Sequence, residues 1–276
     1  MTDFNQKGLY LIDNTIYLQN PNIECLLDFF KKYSCEKLFI THEANLKNLE
    51  FLYELPFLKA LSIPEMKENI DLSPIYDLKN LQTLDWFDIN NRLEVNRISQ
   101  LEELSFTYSK NIILEGNKIV KEVYIRELPD FSKIPCMQSV EKLKVLGYKN
   151  ISLEFINCSF PNLIDFTLVS AKKLESLKCL EFLELNTLEL EKINKSCDLS
   201  ILEKCKIIEA LYLRIKIENC AFITNMPNLK IFFCNEVIDG NLEPIFKSNL
   251  EKVYISKIPK TAHYTKQDIQ TKFGKW

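Results

Sequence analysis

The sequence predicts an α/β solenoid: a parallel sheet built from about eleven short repeats, one strand per repeat, closed by a cap at each end. Three observations predict it. A six-residue phrase, apolar-x-x-apolar-x-apolar, recurs eleven times at steps of 19 to 23 residues. All 33 apolar places of that phrase are filled by apolar residues, in a chain that is 46% hydrophobic. The fifth place carries no aliphatic residue at all. Apolar fourth and sixth places around a different fifth place form the period-two signature of a strand with one buried face. A period near 21 residues leaves no room for a return strand, so successive strands must run parallel. Each repeat then turns back through a helix, a short 3₁₀ segment or an extended run.

The phrases begin at Cys35, Leu58, Leu81, Leu101, Val120, Val140, Leu163, Leu185, Ile208, Leu229 and Leu250. Helical returns are expected at about 43–54 and 196–206, where leucines recur at three- and four-residue steps. Residues 1–34 read as an N-terminal cap, 35–257 as repeats and 258–276 as a C-terminal cap, all within one domain. A stacked array exposes its core at both ends, so its terminal units must differ from the rest. At the front, Leu9–Ile12 and Thr15–Leu18 flank Asp13-Asn14 as a hairpin. Apolar residues at 23, 26, 27 and 30 then fit one face of a helix entered near Pro21. At the back, Thr265 stands as an N-cap with Asp268 in the first turn of a helix through Ile269 and Phe273.

The phrase resembles the leucine-rich repeat, LxxLxL. The segment Asp71-Leu72-Ser73-Pro74-Ile75-Tyr76-Asp77-Leu78-Lys79-Asn80-Leu81 is similar to the short, bacterial, internalin-like type, and Asp198-Leu199-Ser200-Ile201 is a weaker echo. The resemblance covers roughly 35 to 257. It implies a horseshoe with the parallel sheet on its concave face and a role in protein–protein interaction. An immunity or antitoxin role toward a cognate toxin is one concrete version of that role. One departure is plain. Where the family places a turn asparagine, about three residues after the sixth place, this chain has Met66, Ile89, Ser109, Tyr148, Ala171 and Ile193. Asn90 and Asn194 fall one residue late, so irregular turns are expected.

Composition narrows the function classes. The net charge of -3 argues against a binder that works by phosphate neutralisation, so no nucleic acid is expected as partner. The start, Met1 to Lys7, lacks a basic n-region and apolar h-region, and no run of 18 apolar residues occurs. A cytoplasmic monomer without a membrane partner is the expectation. The nine cysteines form no CxxC. Cys35 and Cys234 fall on apolar places of the phrase, which marks them as reduced core thiols.

No phosphate-cradling, zinc-protease or nucleophile-elbow motif is present, so no catalytic residue, metal or cofactor is assigned. His42 and His263 read as a loop residue and a capping residue. The pairs Glu102-Glu103, Glu189 with Glu191, and Glu50 with Glu54 read as solvated edges and faces. Lys142 and Lys144 form a candidate anion contact next to Glu141. Fifth-place residues project from the inner face, with third and seventh places in support. The candidate partner-binding residues are therefore Phe39, Phe87, Tyr124, Arg126, Lys144, Tyr212, Arg214, Phe233 and Tyr254. Tyr, Phe and Arg on a rigid sheet are the residue types of binding hot spots. They serve equally as a ladder that stabilises neighbouring strands, and both readings stand at this point. So do three functions: an interaction module, an enzyme or enzyme subunit with a site at the rim near His42 or His263, and a self-associating structural module.

Overall fold

The computed structural model describes residues 8–20, 23–67 and 69–274. Pro21 lies outside them. The chain divides into two compact units, Met1–Ile125 and Arg126–Trp276.

In the first unit the strands are β1 (Leu9–Ile12), β2 (Thr15–Leu18), β3 (Lys37–Ile40), β4 (Ala60–Ile63), β5 (Thr83–Trp86), β6 (Leu93–Glu94), β7 (Glu103–Thr107), β8 (Ile112–Ile113) and β9 (Glu122–Arg126). The helices are α1 (Leu26–Tyr33) and α2 (Ser73–Tyr76). β1 and β2 form the antiparallel hairpin, and Asp13 and Asn14 take the positive φ angles, 46° and 60°, that a tight hairpin turn requires. The hairpin does more than cover the array. β2 pairs in parallel with β3, Tyr17 opposite Phe39, so the N-terminal cap continues the sheet.

In the second unit the strands are β10 (Lys142–Leu146), β11 (Asp165–Val169), β12 (Thr187–Glu191), β13 (Ala210–Ile217), β14 (Ile231–Val237) and β15 (Lys252–Ile255). The helices are α3 (Ile156–Ser159), α4 (Glu243–Lys247) and α5 (Lys266–Phe273). The strands pair in parallel in chain order, and the register joins equal places of the phrase. Leu188, Leu211, Phe232 and Val253, all fourth places, stand side by side.

The second place of each phrase fixes that register. Within each unit its carbonyl accepts two N–H groups from the next repeat, those of the second and third places. Glu36 accepts from Lys59 and Ala60 at 2.9 and 3.2 Å, and Lys59 accepts from Gln82 and Thr83 at 2.8 and 3.0 Å. The same pair of bonds recurs at Glu209 and at Lys230. A carbonyl oxygen has two lone pairs, so one acceptor satisfies two donors at strand entry. Some second-place side chains also join across repeats. Glu36 pairs with Lys59, and Glu209 with Lys230, each at 2.7 Å.

The return arms are helical in more repeats than expected, and mostly 3₁₀ in type. The reason lies in the spacing. Leu49, Leu52, Leu55 and Leu58 recur every third residue, as do Cys220, Ile223, Met226 and Leu229, and all eight are buried. Three residues per turn is the 3₁₀ repeat, so an arm wound that way keeps one apolar edge on the core. The 3₁₀ segments Glu50–Glu54 and Ala221–Asn225 lie in these two runs. Arm length decides the rest. Steps of 21 to 23 residues accommodate a helical piece of four or five residues, as in α2, α3 and α4. Steps of 19 and 20 cover the return with fewer residues and extend for more of it, since a strand rises ~3.3 Å per residue against ~2.0 Å in a 3₁₀ helix; the two 20-residue steps keep only the three-residue 3₁₀ pieces Val95–Arg97 and Phe131–Lys133. There the chain forms the small parallel pair β6–β8.

Seven helical arms open on a polar cap, whereas α3 is entered through Phe155 with no side-chain cap. Asn48, Asp71, Asp130, Ser176, Asp198, Asn219 and Asn241 accept the N–H two residues ahead at 2.9–3.2 Å. A second set of asparagines, directly before the phrase, satisfies carbonyls of the preceding repeat. Asn80 donates to Pro56, Asn162 to Gln138 and Asn228 to Lys206, at 2.8–2.9 Å. These side chains stand in for the turn asparagines the family places after the strand. Asn90, one residue late, still donates to the Met66 carbonyl at 2.9 Å. The C-terminal helix carries a full capping box between Thr265 and Asp268. It buries Ile269 and Phe273, and Tyr264 stacks on Phe246 of α4 with ring centroids 3.8 Å apart.

Two measurements check this account. Leu84 is fully buried at a fourth place, so Leu84→Ala should cost about 2–5 kcal/mol in denaturant unfolding of the intact chain. The Asp198 carboxyl is held below its usual range, chiefly by the Ser200 N–H. A depressed carboxyl stabilises the fold above its unfolded value of about 3.9 and loses that contribution as pH falls through the folded value. Asp198→Asn keeps the acceptor without the charge, so its unfolding midpoint should fall less steeply on acidification than that of the wild-type chain.

Candidate functional site

The site is built from places the ladder leaves half-exposed. Places four and six point into the core, so place five faces outward on the same strand. In the second unit, Glu189, Tyr212, Phe233 and Tyr254 are successive fifth places on β12 to β15 and stand in register. Strands lie ~4.8 Å apart, a distance that suits ring stacking. Phe233 and Tyr254 use it: their centroids are 5.0 Å apart with planes 14° from parallel. Arg214, the seventh place of β13, sets its guanidinium carbon 5.1 Å from the Phe233 centroid, and its Nε donates to Glu189 Oε1. That hydrogen bond is the main reason the guanidinium is held above its ordinary pKa.

Beyond Phe233, one carboxylate is shared by two cations. Glu236 Oε2 lies 2.8 Å from Lys216 Nζ and Glu236 Oε1 lies 2.7 Å from Lys257 Nζ. Glu236 is 7% exposed while both ammonium groups reach solvent. The lysine contacts, Lys216 first, hold its carboxyl below the usual range. Arg214, Phe233 and Tyr254 therefore form one platform, a stacked aromatic pair beneath a guanidinium, with Tyr212 in register beside it and the lysines at its rim.

The first unit holds a second ladder that sequence reasoning found only in part. Phe39 packs on Tyr17 at 4.9 Å, and Tyr17 stacks on Tyr10 at 6.0 Å. Tyr10 and Tyr17 sit in the hairpin, which carries no copy of the phrase and so gave no reason to place them on this face. The signal that could have found them is the alternation in Thr15-Ile16-Tyr17-Leu18, which matches places three to six of a repeat. Phe87, Tyr124, Arg126 and Lys144 take the fifth and seventh places that the phrase assigns. Lys144 is exposed, and Phe87, Tyr124 and Arg126 are half-exposed. Phe87 follows β5, its N–H bonded to the Ile63 carbonyl at 2.9 Å.

The rim histidines lie apart from any deep cleft among the described residues. His42 is exposed at the head of a short 3₁₀ turn, and the cleft beside it holds about 10 Å3, room for one water. His263 is exposed before α5. Of the acid pairs, Glu189 and Glu191 are held in ion pairs, Glu189 with Arg214 and Glu191 with Lys192 at 3.1 Å. A groove of about 710 Å3 lies elsewhere in the second unit, lined in part by Ile193, Cys197, Leu199, Ile217 and Phe222. Burial pushes the Cys197 thiol up to about 12, the opposite of what a nucleophile needs.

One strand per repeat, parallel register by place and a period-three return arm define the leucine-rich repeat architecture, and this chain has it. No family model matches the chain, and no curated protein matches it. Among solved structures, an internalin (InlF) from Listeria monocytogenes is similar, over 80% of this chain and 74% of that one, with 13% identity and a TM-score of 0.43. The assignment rests on the geometry described above.

All nine cysteines are free thiols, and their exposure sorts them. Cys136 and Cys158 are exposed and should react with a thiol reagent in the native protein. Cys35, Cys197, Cys205, Cys220 and Cys234 are buried and should react only on unfolding. Timed labelling read by mass spectrometry checks this division.

Proposed function

We propose that the protein is a non-enzymatic interaction module that holds a protein partner on the open face of its sheet. The observation that carries this reading is the Arg214–Phe233–Tyr254 platform. Two half-exposed stacked rings and an exposed guanidinium lie on adjacent strands of a hydrogen-bonded sheet, and such a group loses little conformational entropy on binding. The leucine-rich repeat architecture supports the same reading. The finer version is an immunity- or antitoxin-type role in a bacterial cytoplasm, with a cognate toxin as partner. It draws on the resemblance and the chain's size, and on no particular residue.

The same stack also braces the sheet. An aromatic pair contributes ~0.5–1.5 kcal/mol beyond its area burial. The two roles separate in one experiment. Products of neighbouring genes are co-expressed with the chain, and any complex is measured for wild type and for Phe233→Ala/Tyr254→Ala. Loss of more than about 2 kcal/mol in binding, well beyond any change in stability, is expected for a hot spot. A complex that forms with unchanged affinity on the double variant removes the platform from the interface.

A further inference from the structure

We propose a second interaction site: the groove beside β13 takes an extended, uncharged peptide segment of a partner protein, which adds a strand to β13. The site goes beyond the platform, and the chain is irregular here. β13 is eight residues long, but β12 stops at Glu191, opposite Arg214. One extra residue of β13 lies between Leu213 and Lys216, a bulge relative to β14. Past the bulge, Lys216 and Ile217 still pair with Glu236 and Val237 of β14, while on the β12 side no strand accompanies them among the described residues.

The free side of that segment faces the groove of about 710 Å3, within the range of about 300–1,000 Å3 usual for ligand clefts. The Ile217 carbonyl accepts from Ile238 N–H at 2.9 Å, so Ile217 is committed to the β14 side. Backbone groups of successive strand residues point to opposite sides, so the N–H and C=O of Lys216 point into the groove. A donor and an acceptor at an open strand edge are what an extended peptide pairs with.

The lining sets the peptide's chemistry. Ile193, Ile215 and Phe222 offer apolar surface, and Ile238 stands 46% exposed at the rim. The charged lining is balanced, three lysines (Lys192, Lys195, Lys216) against three acids (Asp198, Glu203, Glu218), and Lys216 is paired with Glu236 and Lys192 with Glu191. A segment of either charge would meet like charge as well as unlike and would lose hydration on entry. The fitting segment carries apolar side chains at every second position, since alternate side chains face the groove.

The test pans a displayed library of random dodecapeptides on the intact chain. Selected peptides should alternate apolar residues. They should slow hydrogen exchange at the Lys216 amide by about tenfold or more, and they should lose about tenfold in affinity on Ile238→Asp. They should still bind Phe233→Ala/Tyr254→Ala, which separates this site from the platform. Three results overturn the proposal: no peptide is selected, binding is indifferent to Ile238→Asp, or the Lys216 amide is already protected through concentration-dependent self-association. The last would give the groove to a second copy of the chain.

Discussion

One carbonyl per repeat, accepting two N–H groups from the next, is the contact on which this structure depends. It sits at the second place of the phrase and locks neighbouring repeats in step. Register matters because a slip by one residue would turn every buried leucine of a strand to solvent and every fifth-place residue into the core. The apolar core rewards the correct register, and the paired bonds make the wrong ones costly. Everything else on the open face, stacked rings included, follows from like places standing beside like places.

The same logic makes the molecule local. Each strand is bonded to strands about one repeat away in sequence, so closing each contact costs about the same chain entropy. Polar caps at the heads of the helical arms, such as Asp71 and Asp198, add order that needs no neighbour. Stability then accumulates repeat by repeat, and the ends need separate solutions. The hairpin solves one end by extending the sheet. The C-terminal helix solves the other by lying against β15, with its aromatic residues on α4. A cavity of about 210 Å3 between β15 and that helix is left open.

Much of the fold was legible because its signal is periodic. The eleven phrases, the hairpin turn at Asp13-Asn14 and the capping box at Thr265 could each be read from residue types at fixed offsets. The return arms were legible only in outline. Leucines at steps of three and four suggest a helix, but whether three or 3.6 residues make a turn depends on the whole run from Leu49 to Leu58. The Asx caps escaped notice because a lone Asn or Asp is common in loops, and only the structure lines up six of them, with Ser176 as a seventh cap. The platform was half-legible: Tyr212, Phe233 and Tyr254 follow from the phrase, while the Arg214–Glu189 pair depends on side-chain reach across strands. The groove was not legible at all, since a one-residue bulge leaves no mark in composition or spacing.

The half-exposed fifth place has a consequence for how such a protein changes over generations. A substitution there alters what the face presents while the buried leucines and the strand-entry bonds stay as they were. At exposed fifth places without a stacked ring, such as Lys144, changes of this kind move stability by only about half a kcal/mol. The scaffold can therefore pass through many face chemistries without passing through an unfolded ancestor. What the face presents and what folds the chain are written in separate columns of the same repeat, and selection can edit one column while leaving the other intact.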